Sequence, residues 1–146
     1  MKTKKDYIYV GIQLVLFVVY FLPIQNININ LPEWLRYSGL LMLILGLVLA
    51  LVALLQINTK LSPFPTPVTN GKLITSGAYN IARHPIYTAL LFVGFGYALH
   101  ETSWYKMLIT VVLLILFYFK SQYEEELLTN HYSEYSNYKM KTRRFI

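Results

Sequence analysis

Cysteine is absent from the 146 residues. There is therefore no disulfide framework, no thiolate metal site and no cysteine nucleophile, and nothing reports a redox compartment. Charge is scarce: 14% of residues are charged against 55% hydrophobic, which is foreign to a soluble domain. Acidic residues are the scarcest charge, 7 against 13 Lys and Arg, leaving a net +6. In so apolar a chain that excess reads as cytoplasmic-side membrane anchoring rather than a nucleic-acid surface. Only three histidines occur, His84, His100 and His131, with no metal-ligand spacing, so no metal is expected. The length allows one domain at most.

What the chain has instead is long apolar runs. Three lysines in MKTKKDY precede a run from Ile8 to Ile24. Its length, and the lack of a small-residue cleavage site after it, favour a membrane helix over about 7–24 rather than a signal peptide. Trp34, Arg36 and Tyr37 form an interfacial start to a second helix, about 34–57, long enough to span a bilayer. Within it Gly39 and Gly46 lie two turns apart and suit close helix packing. Residues 58–81 form a long loop in which Pro63, Pro65 and Pro67 oppose helix and Asn70-Gly71 marks a turn. Phe64 among those prolines suits a stiff flap; an exposed linker is the plainer reading. A third span over 82–99 and a fourth over 104–120 are joined by the tight polar turn His100-Glu101-Thr102-Ser103, which predicts a helical hairpin. The fold expected is all-α: a polytopic integral membrane protein of four transmembrane helices, with that C-terminal hairpin and a cytosolic helix extension in the tail, 121–146. With both termini and the 58–81 loop in the cytoplasm, nearly all the lysines and arginines lie inside and the two other loops carry little net positive charge.

The most polar segment between apolar runs is LITSGAYNIARHPIY, Leu73 to Tyr87. Pro85 suits the first turn of a helix. Arg83, His84 and Tyr87 then surround a helix N-terminus, where free N–H groups and the dipole favour an anion. Arg and Tyr are also ordinary anchors at a membrane boundary. The hairpin returns the chain to the same side of the membrane near Lys120. Lys120 and Glu124 share a helix face at i, i+4. Of the adjacent Glu124, Glu125 and Glu126, at most two face one pocket, and a solvated face is the alternative. Tyr132, Tyr135 and Tyr138 recur every three residues and read chiefly as packing.

GAYNIARHPIY resembles the G-x-Y-x-x-x-R-H-P-x-Y signature of the isoprenylcysteine carboxyl methyltransferase family, which includes phospholipid methyltransferase relatives. A second block is similar too: Lys120, Glu124, Glu125, Leu128, Tyr135, Tyr138 and the closing KTRRFI. The Pro-rich lead-in LSPFPTPVTNGKLITSG also looks like that of bacterial members. The resemblance covers residues 61–146; the first 60 match only as membrane spans. It implies a small membrane enzyme using S-adenosyl-L-methionine. It implies cofactor contacts from Tyr79, His84, Pro85, Ile86, Tyr87 and the glutamate pair Glu124 and Glu125, and from the backbone of Gly71, Lys72, Leu73 and Ile74. Lys120 would lie toward the methyl acceptor, at a position where carboxyl-methylating members carry arginine. Arginine binds carboxylate bidentately and lysine does not, so the acceptor stays open among carboxylate, amine, thiol and phenol.

Methyl transfer from a sulfonium requires in-line positioning and a site that excludes water. Arg83 and His84 suit the cofactor's carboxylate, Glu124 its ammonium or ribose hydroxyls, and a Tyr79 or Tyr87 face its sulfonium. Arg83, Lys120 and Glu124 are the catalytic candidates. The glycine-rich nucleotide loop of soluble methyltransferases is missing, so the cofactor site must be of a membrane type. The function expected is methyl transfer to a lipophilic or lipid-modified acceptor, with the active site cytoplasmic. Two other readings stand beside it: an NADPH-using membrane reductase on a related scaffold, and a non-enzymatic membrane subunit.

Overall fold

The computed structural model describes residues 2–24, 30–57, 62, 64–67 and 72–146. Among them the chain is all-helical. Six helices follow in order: α1 Lys4–Phe21, α2 Glu33–Ile57, α3 Ala78–Ile81, α4 Pro85–His100, α5 Trp104–His131 and α6 Tyr135–Lys141.

Helix α1 starts before the apolar run because Thr3 and Asp6 form a capping box. The Asp6 carboxylate accepts the Thr3 N–H at 2.7 Å, and the Thr3 hydroxyl accepts the Asp6 N–H at 3.4 Å. The helix stops just short of Pro23, so the run expected at 7–24 is helical over Lys4–Phe21.

Helix α2 buries Gly39, Gly46 and Ala53, one residue every two turns. This stripe meets α4 at backbone distance. A Cβ on Gly39 would lie 2.8 Å from the Gly96 carbonyl oxygen, and one on Gly96 would lie 2.5 Å from the Leu43 nitrogen. Small residues permit that approach, and the van der Waals contact it gives is what holds helices together where lipid is the solvent. Much of the rest of α2 is exposed and apolar, including Leu41, Leu47, Leu51 and Leu55. The same holds for the outer faces of α1 and α5, through Ile8, Val15, Val18 and Ile115. Exposure on this scale belongs in hydrocarbon, not water. By length and apolarity α2 and α5 suffice to cross a membrane, and α4 is a shorter apolar helix.

Two features depart from the expected layout, at residues 82–84 and in the closing residues. Residues 82–84, expected inside a span, are not helical, and Ala82 is extended. Ala82 pairs with Arg143 in a parallel bridge, and the N–H groups of Arg83 and His84 donate to the carbonyls of Arg143 and Arg144 at 2.8 and 3.1 Å. Helix α4 therefore starts only at Pro85. The fourth apolar helix runs unbroken to His131. The closing residues fold back through α6, ending with the Ile146 N–H 3.4 Å from the Thr88 hydroxyl.

Candidate active site

The end of the molecule where α1 begins, α2 ends, α4 begins and α5 leaves the apolar region gathers the polar side chains. Gln56, on the last turn of α2, accepts the Ala78 N–H at 2.9 Å. That bond sets α3 and with it Tyr79. Gly77 precedes α3 at φ 60°, and a Cβ there would fall 1.5 Å from Gln56 Nε2.

His84 caps α4 by position but not by side chain. Its ring lies parallel to Tyr87 at 5.3 Å, and Tyr87 stacks on Phe117 at 4.7 Å. This stack fixes the imidazole between two carboxylates. Nδ1 lies 3.7 Å from Glu124 Oε2 and Nε2 lies 3.3 Å from Glu125 Oε1. The Tyr87 hydroxyl donates to Glu124 Oε2 at 2.9 Å.

The adjacent glutamates have opposite surroundings. The Glu125 side chain is 1% exposed and caged by cations: Arg83 Nη2 at 2.9 Å, Arg144 Nη2 at 3.0 Å and Lys139 Nζ at 3.3 Å. Burial alone would raise its pKa. Hydrogen bonds from His84, Arg144 and Arg83 outweigh burial and hold the carboxyl well below the usual range. Arg83 also donates to the carbonyls of Lys139 and Thr142, so its donors are directed at the cage and the folded-back tail. Glu124 is open to cavities. Burial, then the Glu124 charge, then Tyr138 push the Tyr79 phenol well above its ordinary range. The Tyr138 hydroxyl donates to the Tyr79 carbonyl, and burial is the main cause pushing it up to about 12.

Two chambers adjoin at Tyr79, Arg83, His84 and Glu124, which line both. The first, about 190 Å³, lies beneath the Pro-rich segment at Phe64–Pro67, with Lys72, Leu73 and Ile74 on one wall and Tyr132, Tyr135 and Tyr138 on another. The second, about 460 Å³, runs between α2 and α4 along Leu54, Ile57 and Leu90 and is also lined by Pro85, Ile86 and Tyr87. Lys120 and Gln13 supply its polar wall; the ammonium donates to Gln13 Oε1 at 2.6 Å and sits 5.3 Å from the centre of the Tyr87 ring. Of the residues singled out in the sequence, Lys72, Leu73, Ile74, Tyr79, Arg83, His84, Pro85, Ile86, Tyr87, Lys120 and Glu124 line one chamber or both. Glu125 lines neither, and Gly71 lies outside the described residues.

Residues 34–135, from α2 to the first residue of α6, match the family described as phospholipid methyltransferase. The chain belongs to the phospholipid methyltransferase family. No curated protein matches it. The family is one of membrane methyltransferases, which accounts for a polar site at one end of an apolar bundle. The family match leaves out α1 and the final residues. Those parts provide Gln13 in the second chamber and Lys139 and Arg144 around Glu125. Sequence reasoning passed over Gln13, although a lone amide in an apolar run is a signal in itself. It also gave no role to the tail arginines, whose partners are distant in sequence.

Proposed function

We propose that this phospholipid methyltransferase family member is embedded by four helices, α1, α2, α4 and α5. It would transfer a methyl group from S-adenosylmethionine, bound from the cytoplasm, to a lipophilic acceptor that enters from the bilayer. The observation that carries this reading is the pair of chambers, one beneath the Pro-rich segment and one between α2 and α4, that meet at Glu124 and His84. A transferase joining a charged donor to a lipid-like acceptor requires such a junction. The lysines of the N-terminus, Lys72, Arg83 and the basic tail all lie at the end that holds the site, which supports a cytoplasmic orientation.

The residues fit the donor's charges. Glu124 is a carboxylate facing both chambers, with the His84 imidazole 3.7 Å away. It would hold the donor's ammonium. Lys72 and the first-turn N–H groups of α4, which His84 does not cap, would hold its carboxylate. The donor, when bound, supplies a methyl group on a sulfonium cation, and the Tyr79 and Tyr87 faces suit a cation. Phe64–Pro67 cover the first chamber and limit water. Lys120, fixed by Gln13, would orient a polar group of the acceptor while Leu54 and Leu90 hold its apolar part.

The test is calorimetric binding of S-adenosylmethionine and S-adenosylhomocysteine to purified protein in lipid discs, with NADPH as a competing ligand. Micromolar binding of the first two that weakens about tenfold or more in folded Glu124→Gln and His84→Ala is the expected result. Binding of NADPH in their place would overturn the proposal.

A further inference from the structure

On the opposite side of α5 from the two chambers lies an open groove of about 830 Å³, between the start of α1 and the extension of α5. Nothing in the proposed methyl transfer uses it. Its walls carry Lys5, Lys139 and Arg144 together with Tyr9, Phe119 and Tyr123. Tyr9 and Tyr123 stack at 5.8 Å, and the Lys5 ammonium sits 5.6 Å from the centre of the Tyr123 ring. One end is apolar: Ile8 is 58% exposed and Phe119 53%, and both continue the exposed hydrophobic faces of α1 and α5. The other end is polar, with Glu126, Thr129 and Asn130.

The charges do not cancel. Two carboxylates face this region, Glu125 and the exposed Glu126. Against them stand Lys5, Lys139 and Arg144 in the groove, with Arg83 behind it on Glu125. Arg83, Lys139 and Arg144 all pair with Glu125, so four cations stand against two carboxylates and the groove keeps a positive excess beside bare hydrocarbon. Basic pockets beside membrane helices on the cytoplasmic side suit anionic lipid headgroups.

We propose that this groove binds an anionic phospholipid. Its phosphate sits among Lys5, Lys139 and Arg144, its glycerol region lies against Tyr9 and Tyr123, and its acyl chains run past Ile8 and Phe119. A soluble phosphate compound would leave that apolar end uncovered. The level of the groove in the bilayer rests on the topology proposed above; the lipid binding does not depend on which reaction the enzyme performs.

The test is a native mass spectrometry titration of the full chain with phosphatidylglycerol and phosphatidylcholine. The exposed pair is replaced in Lys5→Gln/Lys139→Gln, and a second pair, Lys4→Gln/Lys141→Gln, removes the same charge from the same two segments outside the groove. The expected result is a preference for phosphatidylglycerol in the parent, reduced about tenfold or more in the groove variant and retained in the control variant. Arg144 is left intact because it holds Glu125 through two hydrogen bonds and is 22% exposed, whereas Lys139 pairs with Glu125 from a side chain 46% exposed. Circular dichroism establishes that both variants fold. An equal loss in the two variants would mean general attraction to a basic surface and would overturn the site, as would an unchanged preference in the groove variant.

Discussion

Glu125→Gln separates the scaffold from the chemistry, because Glu125 is enclosed by cations whereas its neighbour Glu124 faces the chambers, although both contact His84. The Glu125 carboxylate is 1% exposed and its closest cation, Arg83, is 8% exposed. Removing one partner of a buried ion pair costs about 3–5 kcal/mol, because the charge left behind stays desolvated. Arg144 and Lys139 are 22% and 46% exposed and can turn to water, which puts the cost near the lower bound, about 3 kcal/mol. For a chain of this size that lowers the melting temperature by about 6–12 °C. Glu124→Gln retains an acceptor for the Tyr87 hydroxyl and loses about 1 kcal/mol or less, about 2–4 °C. The assay is thermal unfolding by far-ultraviolet circular dichroism in one detergent, paired with S-adenosylhomocysteine binding where both variants are folded. The expected pattern is crossed: Glu125→Gln melts early and binds, whereas Glu124→Gln melts nearly as the parent does and binds about tenfold more weakly. Equal melting shifts, or the larger shift in Glu124→Gln, would refute the division of labour.

The other expectations address separate features. Tyr87→Phe keeps the ring stack on His84 and Phe117 but removes the donor to Glu124; S-adenosylhomocysteine should bind about fivefold more weakly, a loss of about 1 kcal/mol by calorimetry. Gly96→Ala places a Cβ 2.5 Å from the Leu43 nitrogen and 2.6 Å from the Gly39 oxygen, so α2 and α4 must separate. It should cost about 1–3 kcal/mol in a melt, while Gly11→Ala, which meets nothing within 4 Å, costs none. The depressed Glu125 pKa gives a pH dependence of defined sign. Its contribution is complete above the ordinary glutamate value of about 4.3. It is lost as pH falls through the lower folded value. An acid titration of the melting temperature should therefore drop steeply in the parent and flatten in Glu125→Gln.

The sequence displayed the apolar helices because a long hydrophobic run needs no partner to be recognised. It was less clear at their ends. The start of α1 is set by Thr3 and Asp6, a T-x-x-D pair visible in the chain, yet the hydrophobic run alone points to a later start. The stripe of Gly39 and Gly46 continues to Ala53, and all three are buried residues of α2. The non-helical Ala82–His84 segment was not legible, because it is held by Arg143 and Arg144 from the far end of the chain. For the same reason the tail looked like an appendage rather than a cover. Which glutamate meets the cavity was also beyond the sequence. Adjacent helical residues point about 100° apart, and only the placement of Arg83, Lys139 and Arg144 decides which of them is enclosed.

In the proposed function, Glu124 and His84 stand where a charged methyl donor meets a lipophilic acceptor. Purified protein incubated with methyl-tritiated S-adenosylmethionine and a cellular lipid extract tests it most directly, by partition of the label into organic solvent. Label is expected in the organic phase, time-dependent in the parent and about tenfold or more reduced in Glu124→Gln. Label that stays in the aqueous phase while the donor is bound, or that enters the organic phase equally in both proteins, would contradict it.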